Sequence, residues 1–95
     1  MEIKVISSTE NTLVIDVEDE DISIPEIVRR ELLKDSHVTF AGVTEQHPLL
    51  KKLTMRVQTK GVEPLNALIS GCSKAIEKAS DLLSEVKKTL IKEGV

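Results

Sequence analysis

A chain of 95 residues has room for one hydrophobic core and not for a second, since small domains already bury a reduced share of their surface, so residues 1–95 are expected to form a single domain. Sixteen acidic against thirteen basic side chains leave a net charge of −3, which excludes a tight autonomous grip on DNA or RNA, because such a grip needs clustered Lys and Arg. With 40% hydrophobic and 31% charged residues and Phe40 as the one aromatic, the chain is globular with a thin aliphatic core, the kind that a partner often stabilises.

Residues 2–6 and 12–17 alternate apolar and polar side chains, placing Ile3 and Val5, then Leu13, Ile15 and Val17, on one face. Two strands are expected, joined through the polar turn Ser7-Ser8-Thr9-Glu10-Asn11 as a hairpin with a longer loop. After the acidic run of residues 18–21, Ser23-Ile24-Pro25-Glu26 has the spacing of a capping box with Pro in the first turn, so a helix is expected to start there. Its apolar positions Ile24, Ile27, Val28 and Leu32 share one side, and Arg29, Arg30 and Lys34 point elsewhere. Residues 38–44 and 53–60 form a second strand pair, with Leu53, Met55 and Val57 opposed to Thr54, Arg56 and Gln58. The connection Gln46-His47-Pro48 is expected to turn, because Pro disfavours helix in the residue before it. Pro64 opens a last helix running to about Glu93. The order is ββαββα, an α+β fold in which an antiparallel four-stranded sheet carries its helices on one face and ends in a long C-terminal helix.

That last helix holds the strongest pattern in the chain. Leu65, Ile69, Cys72, Ile76, Ala79, Leu83, Val86 and Leu90 recur in steps of four and three, the spacing of a seam between helices. Leu68, Ala75 and Leu82 widen the stripe. Some 30 residues at 1.5 Å each make a rod on the order of 45 Å, against a radius of gyration of about 12 Å for a compact domain of this length. The far end should overhang the sheet and leave an uncovered apolar strip, a mark of an interaction site. The competing expectation is a bend near Gly71, which folds the whole helix onto its own sheet. Gly71, Cys72, Ala75 and Ala79 are small enough for another helix to approach closely.

Motifs with built-in chemistry are missing: no Gly-rich phosphate loop, no paired metal-ligand cysteines and no His-Glu-x-x-His occur. Neither a catalytic residue, nor a metal, nor a cofactor is expected. Cys72 lies on the apolar stripe and reads as a small hydrophobe; being single, it cannot form an internal disulfide. His37 and His47 have no ligand or acid–base partner at a usable spacing, and the acidic run lacks the Gly of a calcium loop. No apolar run reaches the roughly 20 residues that cross a bilayer, and the start Met-Glu-Ile-Lys has no secretory character. A cytoplasmic chain without membrane contact is expected.

Three segments carry a family resemblance. Val38-Thr39-Phe40-Ala41-Gly42-Val43, then Gln46-His47-Pro48-Leu49, then Arg56-Val57-Gln58-Thr59-Lys60-Gly61 resemble the core signature of the archaeal RNA polymerase subunit L family, whose relatives are the small partner of the polymerase II third subunit and the bacterial alpha N-terminal domain. Glu26-Ile27-Val28-Arg29-Arg30-Glu31-Leu32-Leu33 is similar to the family's Leu-Arg-Arg-x-Leu-Leu helix. Where the family begins that helix with Asp-His-Thr-Leu-Gly-Asn, this chain reads Asp21-Ile22-Ser23-Ile24-Pro25-Glu26, without the His and Asn.

The resemblance implies a non-catalytic assembly subunit of a DNA-directed RNA polymerase. It implies a heterodimer with the polymerase's D subunit, as the platform for the large catalytic subunits. Ile24, Ile27, Val28 and Leu32, with the eight seam residues, would form the dimer surface. Arg29 and Arg30 would face a large subunit or the dimer edge. From another class comes a homodimeric αβ scaffold using the same seam, with self-association of the isolated chain; an enzyme of the pterin carbinolamine dehydratase type would need a His-His pair, and His47 stands alone.

Overall fold

The computed structural model describes residues 1–47, 49 and 51–92. Its elements follow the order β1 (Glu2–Ser8), β2 (Thr12–Glu18), α1 (Ser23–Leu32), β3 (Val38–His47), β4 (Lys52–Thr59) and α2 (Pro64–Lys92). All strand pairs are antiparallel, in the order β1-β2-β4-β3. β2 and β4 thus occupy the centre, and β1 and β3 are edges. A register shift between Val5 and Ser7 makes Ile6 a bulge in β1, a device that interrupts an edge ladder.

The strand period decides the core. Leu13, Ile15 and Val17 of β2 and Leu53, Met55 and Val57 of β4 face the helices together with Ala41 of β3. Leu32 of α1 and Ala67 of α2 close this cluster from above, and Leu32, Leu53 and Val57 are the largest of its fully buried side chains. β1 is different. Every one of its residues is exposed.

The start of α1 departs from the capping box. Ile22, not Ser23, occupies the cap position, and no side chain caps there. Instead the backbone N–H of Ser23 donates to Asp21 Oδ1 (2.9 Å), which holds the Asp21 carboxyl below its ordinary range. Glu26, which would have closed the box, turns to Arg29 and accepts from Nε and Nη2, both at 2.9 Å. Two nitrogens of one guanidinium offer a planar, charge-assisted pair that outcompetes a single neutral backbone N–H. The expected turn at Gln46-His47 is also displaced: β3 continues to His47, which pairs with Lys52. Pro48 and Glu93 lie outside the described residues, the latter being the expected end of α2.

α2 runs without interruption from Pro64 to Lys92, so it does not break at Gly71, and its second half, exposed from Ile76 to Ile91, is not folded onto the sheet. A Cβ at Gly71 would stand 3.2 Å from Leu32 Cγ and Cδ2 and 3.7 Å from Val28 Cγ1. The glycine is therefore used to bring α1 of the same chain close. The radius of gyration is 16.0 Å and the extents are 53 × 36 × 16 Å, well above the ~12 Å of a compact chain of this length.

Candidate partner-binding surface

A helix of 29 residues cannot keep its whole length on a sheet whose longest strand has ten, and α2 divides accordingly. Through its first three turns Pro64, Ala67 and Gly71 are buried and Leu68, Cys72 and Ala75 half-buried against α1 and the sheet. From Ile76 to Ile91 every residue is exposed. The last tie is ionic. Lys78 Nζ lies 2.7 Å from Glu31 Oε1, and Lys34 Nζ lies 3.2 Å from the same oxygen. Hydrogen bonding to Lys78 first, and to Lys34 with it, holds the Glu31 carboxyl below the usual carboxylate range, and Glu31 in turn raises Lys78.

The seam residues fall almost entirely on the uncovered side. Leu65, Ile69, Ala79, Val86 and Leu90 are exposed, Ile76 is 71% exposed and Leu83 54% exposed. Cys72 alone among the eight is half-buried, and desolvation pushes its thiol pKa up, in keeping with a packing role rather than a reactive one. Leu82 and Ile91 add to the strip. Six to eight aliphatic side chains in one row on a charged helix form a contiguous apolar patch, in contrast to singly scattered exposed residues, which mean little.

The four α1 positions separate. Ile24 and Ile27 are about half exposed and Val28 half-buried, and Ile24 and Val28 line a common apolar groove with Leu68 and Cys72 of α2. Leu32 is 1% exposed and belongs to the chain's own core. It has no surface to offer a partner, because its position one turn beyond Val28 carries it under α2 at Gly71. Arg29 is committed to Glu26, whereas Arg30 is exposed and, among the described residues, makes no ion pair.

Between the bare inner side of β1 and the two helices lies an apolar groove of about 310 Å³, to which Ile3, Ile24, Val28, Leu68 and Cys72 contribute. Met1 and Ile3 extend the surface onto the edge strand. The alternation of Ile3 and Val5 with polar neighbours marked the strand, but only the sheet order reveals that among the described residues nothing covers this face. Among the described residues no group of three or more His, Cys, Asp or Glu stands close enough to hold a metal ion, and no helix is long and apolar enough to cross a membrane.

Residues 12–85 match the family model described as the RNA polymerase Rpb3/Rpb11 dimerisation domain. The chain belongs to this family. It is similar to DNA-directed RNA polymerase subunit Rpo11 of Sulfurisphaera tokodaii, with 32% identity covering 92% of this chain and 95% of the relative. The same-named subunit of Sulfolobus acidocaldarius is 35% identical over 93% of this chain and 99% of its own. The fold is that of DNA-directed RNA polymerase subunit L from Thermoplasma acidophilum, with a TM-score of 0.85 and 23% identity over 96% of this chain and 90% of the other. Family membership makes the chain an RNA polymerase small subunit, and the apolar strip is described on a domain whose family is named for dimerisation.

Proposed function

We propose that this chain is a non-catalytic, cytoplasmic assembly subunit of a DNA-directed RNA polymerase, one single-domain unit that pairs with the D subunit to make the platform for the large catalytic subunits. The observation that carries the reading is the bare apolar strip of α2, unbroken from Ile76 to Ile91. Burying it removes aliphatic surface from water at roughly 25 cal/mol per Å², which is the driving force for a lasting contact. Ile24, Ile27 and Val28 of α1, the seam Leu65, Ile69, Cys72, Ile76, Ala79, Leu83, Val86 and Leu90, and the edge residues Met1 and Ile3 form the pairing surface. Arg30, exposed at the rim, faces a large subunit, and Arg29 shapes that rim through Glu26.

Support comes from two directions: among the described residues nothing covers the strip, and the curated relatives are polymerase subunits that this chain matches almost end to end. The alternative, a homodimeric scaffold, uses the same strip. Mixing the chain with the D subunit and weighing the product by light scattering separates them. A 1:1 complex that forms at the expense of any self-associated species is expected; a homodimer that persists unchanged when the D subunit is in excess would overturn the assignment.

A further inference from the structure

Both helices lie on one side of the sheet, and the opposite side is open. On that outer side Arg56 of β4 stands between Val14 of β2 and Gly42 of β3, its register neighbours, and Phe40 lies two residues along the edge strand. The Phe40 ring folds over the backbone of Gly42 so closely that a Cβ there would meet Phe40 Cζ at 2.8 Å. Glycine is thus what lets the chain's one aromatic ring lie down on the sheet, still 46% exposed. Together with Thr44, Gln46 and Thr54 these residues line an open cavity of about 320 Å³.

The wall of this cavity is built. Asp16, a buried carboxylate, accepts from the Thr54 hydroxyl at 2.8 Å and pairs with Lys52 at 3.7 Å, while the Gln46 amide donates to Thr54. These bonds use up the local anion. Arg56 is left with a positive charge and no carboxylate partner among the described residues. With the Gln58 amide oxygen turned toward it, that oxygen accepts from Nε (3.1 Å) and Nη2 (3.3 Å), which orients the guanidinium without neutralising it. An unneutralised planar cation beside an aromatic face, on a chain whose net charge is −3, calls for a ligand with one carboxylate next to an apolar group. A nucleic acid fits less well. On the same face Asp16 is paired with Lys52 and Glu18 with Lys4, the cavity offers a single ring and one cation, and a backbone-tracking groove needs several cations.

We propose that the outer-face cavity around Phe40 and Arg56 is a second docking surface, for a polypeptide segment that presents an apolar side chain next to an Asp or Glu. The apolar residue lies on Phe40 and Val14, and the carboxylate takes the free edge of the Arg56 guanidinium. Because the cavity and the α2 strip are on opposite sides of the sheet, both can be occupied at once, and this surface stands whichever protein covers the strip.

The test is a titration of the full, isotope-labelled chain with three octapeptide pools, random except for a central Leu-Asp, Leu-Asn or Leu-Lys pair, with a single-stranded oligonucleotide in parallel. The Leu-Asp pool is expected to move the amide resonances of Gly42 and Thr44 and the Nε–H resonance of Arg56, and to leave Leu83 and Leu90 unmoved. Arg56→Gln and, separately, Phe40→Leu should each weaken that response by about tenfold, as loss of a charge-assisted or stacking contact does. Arg56→Lys should recover only part of it, since an ammonium cannot make the planar contact. The proposal is overturned by no shift from any pool, by an equal response to Leu-Asn, by a response indifferent to both substitutions, or by an oligonucleotide that moves the same resonances at lower concentration.

Discussion

The two halves of α2 share one four-and-three apolar spacing and end in opposite situations. From Pro64 to Ala75 the helix is braced by α1 and the sheet, with Gly71 pressed against Leu32. From Ile76 onward it carries its aliphatic residues into water. The apolar period does not distinguish the halves. What distinguishes them is reach: the sheet ends and the helix does not. A periodic apolar stripe therefore states that something must be covered, and leaves to the rest of the fold whether its own chain supplies the cover.

The contrast can be broken most forcefully in the bare half. Leu83→Glu and Ile76→Glu should each weaken the proposed pairing with the D subunit by roughly 4 kcal/mol, on the order of a thousandfold, because a charge would be forced into an apolar contact. The urea midpoint of the isolated chain should hardly move, since exposed sites usually shift stability by less than about 0.5 kcal/mol. Normal pairing by both variants, measured by titration calorimetry, would remove the strip from the interface. In the braced half the signs reverse: Leu32→Ala should lower stability by about 3 kcal/mol, as a cavity in a fully buried site does, read from urea unfolding.

Finer still is Gly71→Ala. Alanine gains close to 1 kcal/mol of helix propensity but meets a Leu32 that has nowhere to go, so a net loss of about 1 kcal/mol is expected. A more stable G71A chain would mean that the two helices are not in firm contact there. The smallest effect is that of Glu31→Gln at the boundary between the halves. Lys78 and Lys34 hold the Glu31 carboxyl low, so the wild-type advantage exists above the unfolded-state value of about 4 and fades as the pH falls through the lower folded value. The variant and the wild type should differ in urea midpoint at pH 7 and converge in acid; a difference that persists unchanged at low pH would exclude the ion pair as its source.

The element order, the alternation of Leu53 to Val57 and the unbroken run from Pro64 were all legible in the residues, because a strand with one covered face and an amphipathic helix each impose their own period. The resemblance in residues 38–61 pointed to the family whose model residues 12–85 match. Less was legible at contacts between elements. Ser23 and Glu26 had the spacing of a capping box, yet Asp21 and Arg29 were better partners for them. Leu32 shares a helical side with Ile24 and Val28, but periodicity cannot say that α2 passes over one end of that side and not the other. In the same way nothing in residues 2–6 tells that β1 is an edge without cover, or in residues 38–44 that Phe40 lies on the open side of the sheet. Those facts depend on the strand order β1-β2-β4-β3, a property of the assembled chain.

The rod that projects past Lys78 also bears on supply. A protein that leaves Ile76, Leu82, Leu83 and Ile91 in water is a liability whenever copies outnumber their counterparts, because idle molecules offer one another the same greasy stave and drift toward precipitation. Synthesis in step with the counterpart, or prompt destruction of the surplus, is what such a shape demands of the cell that makes it.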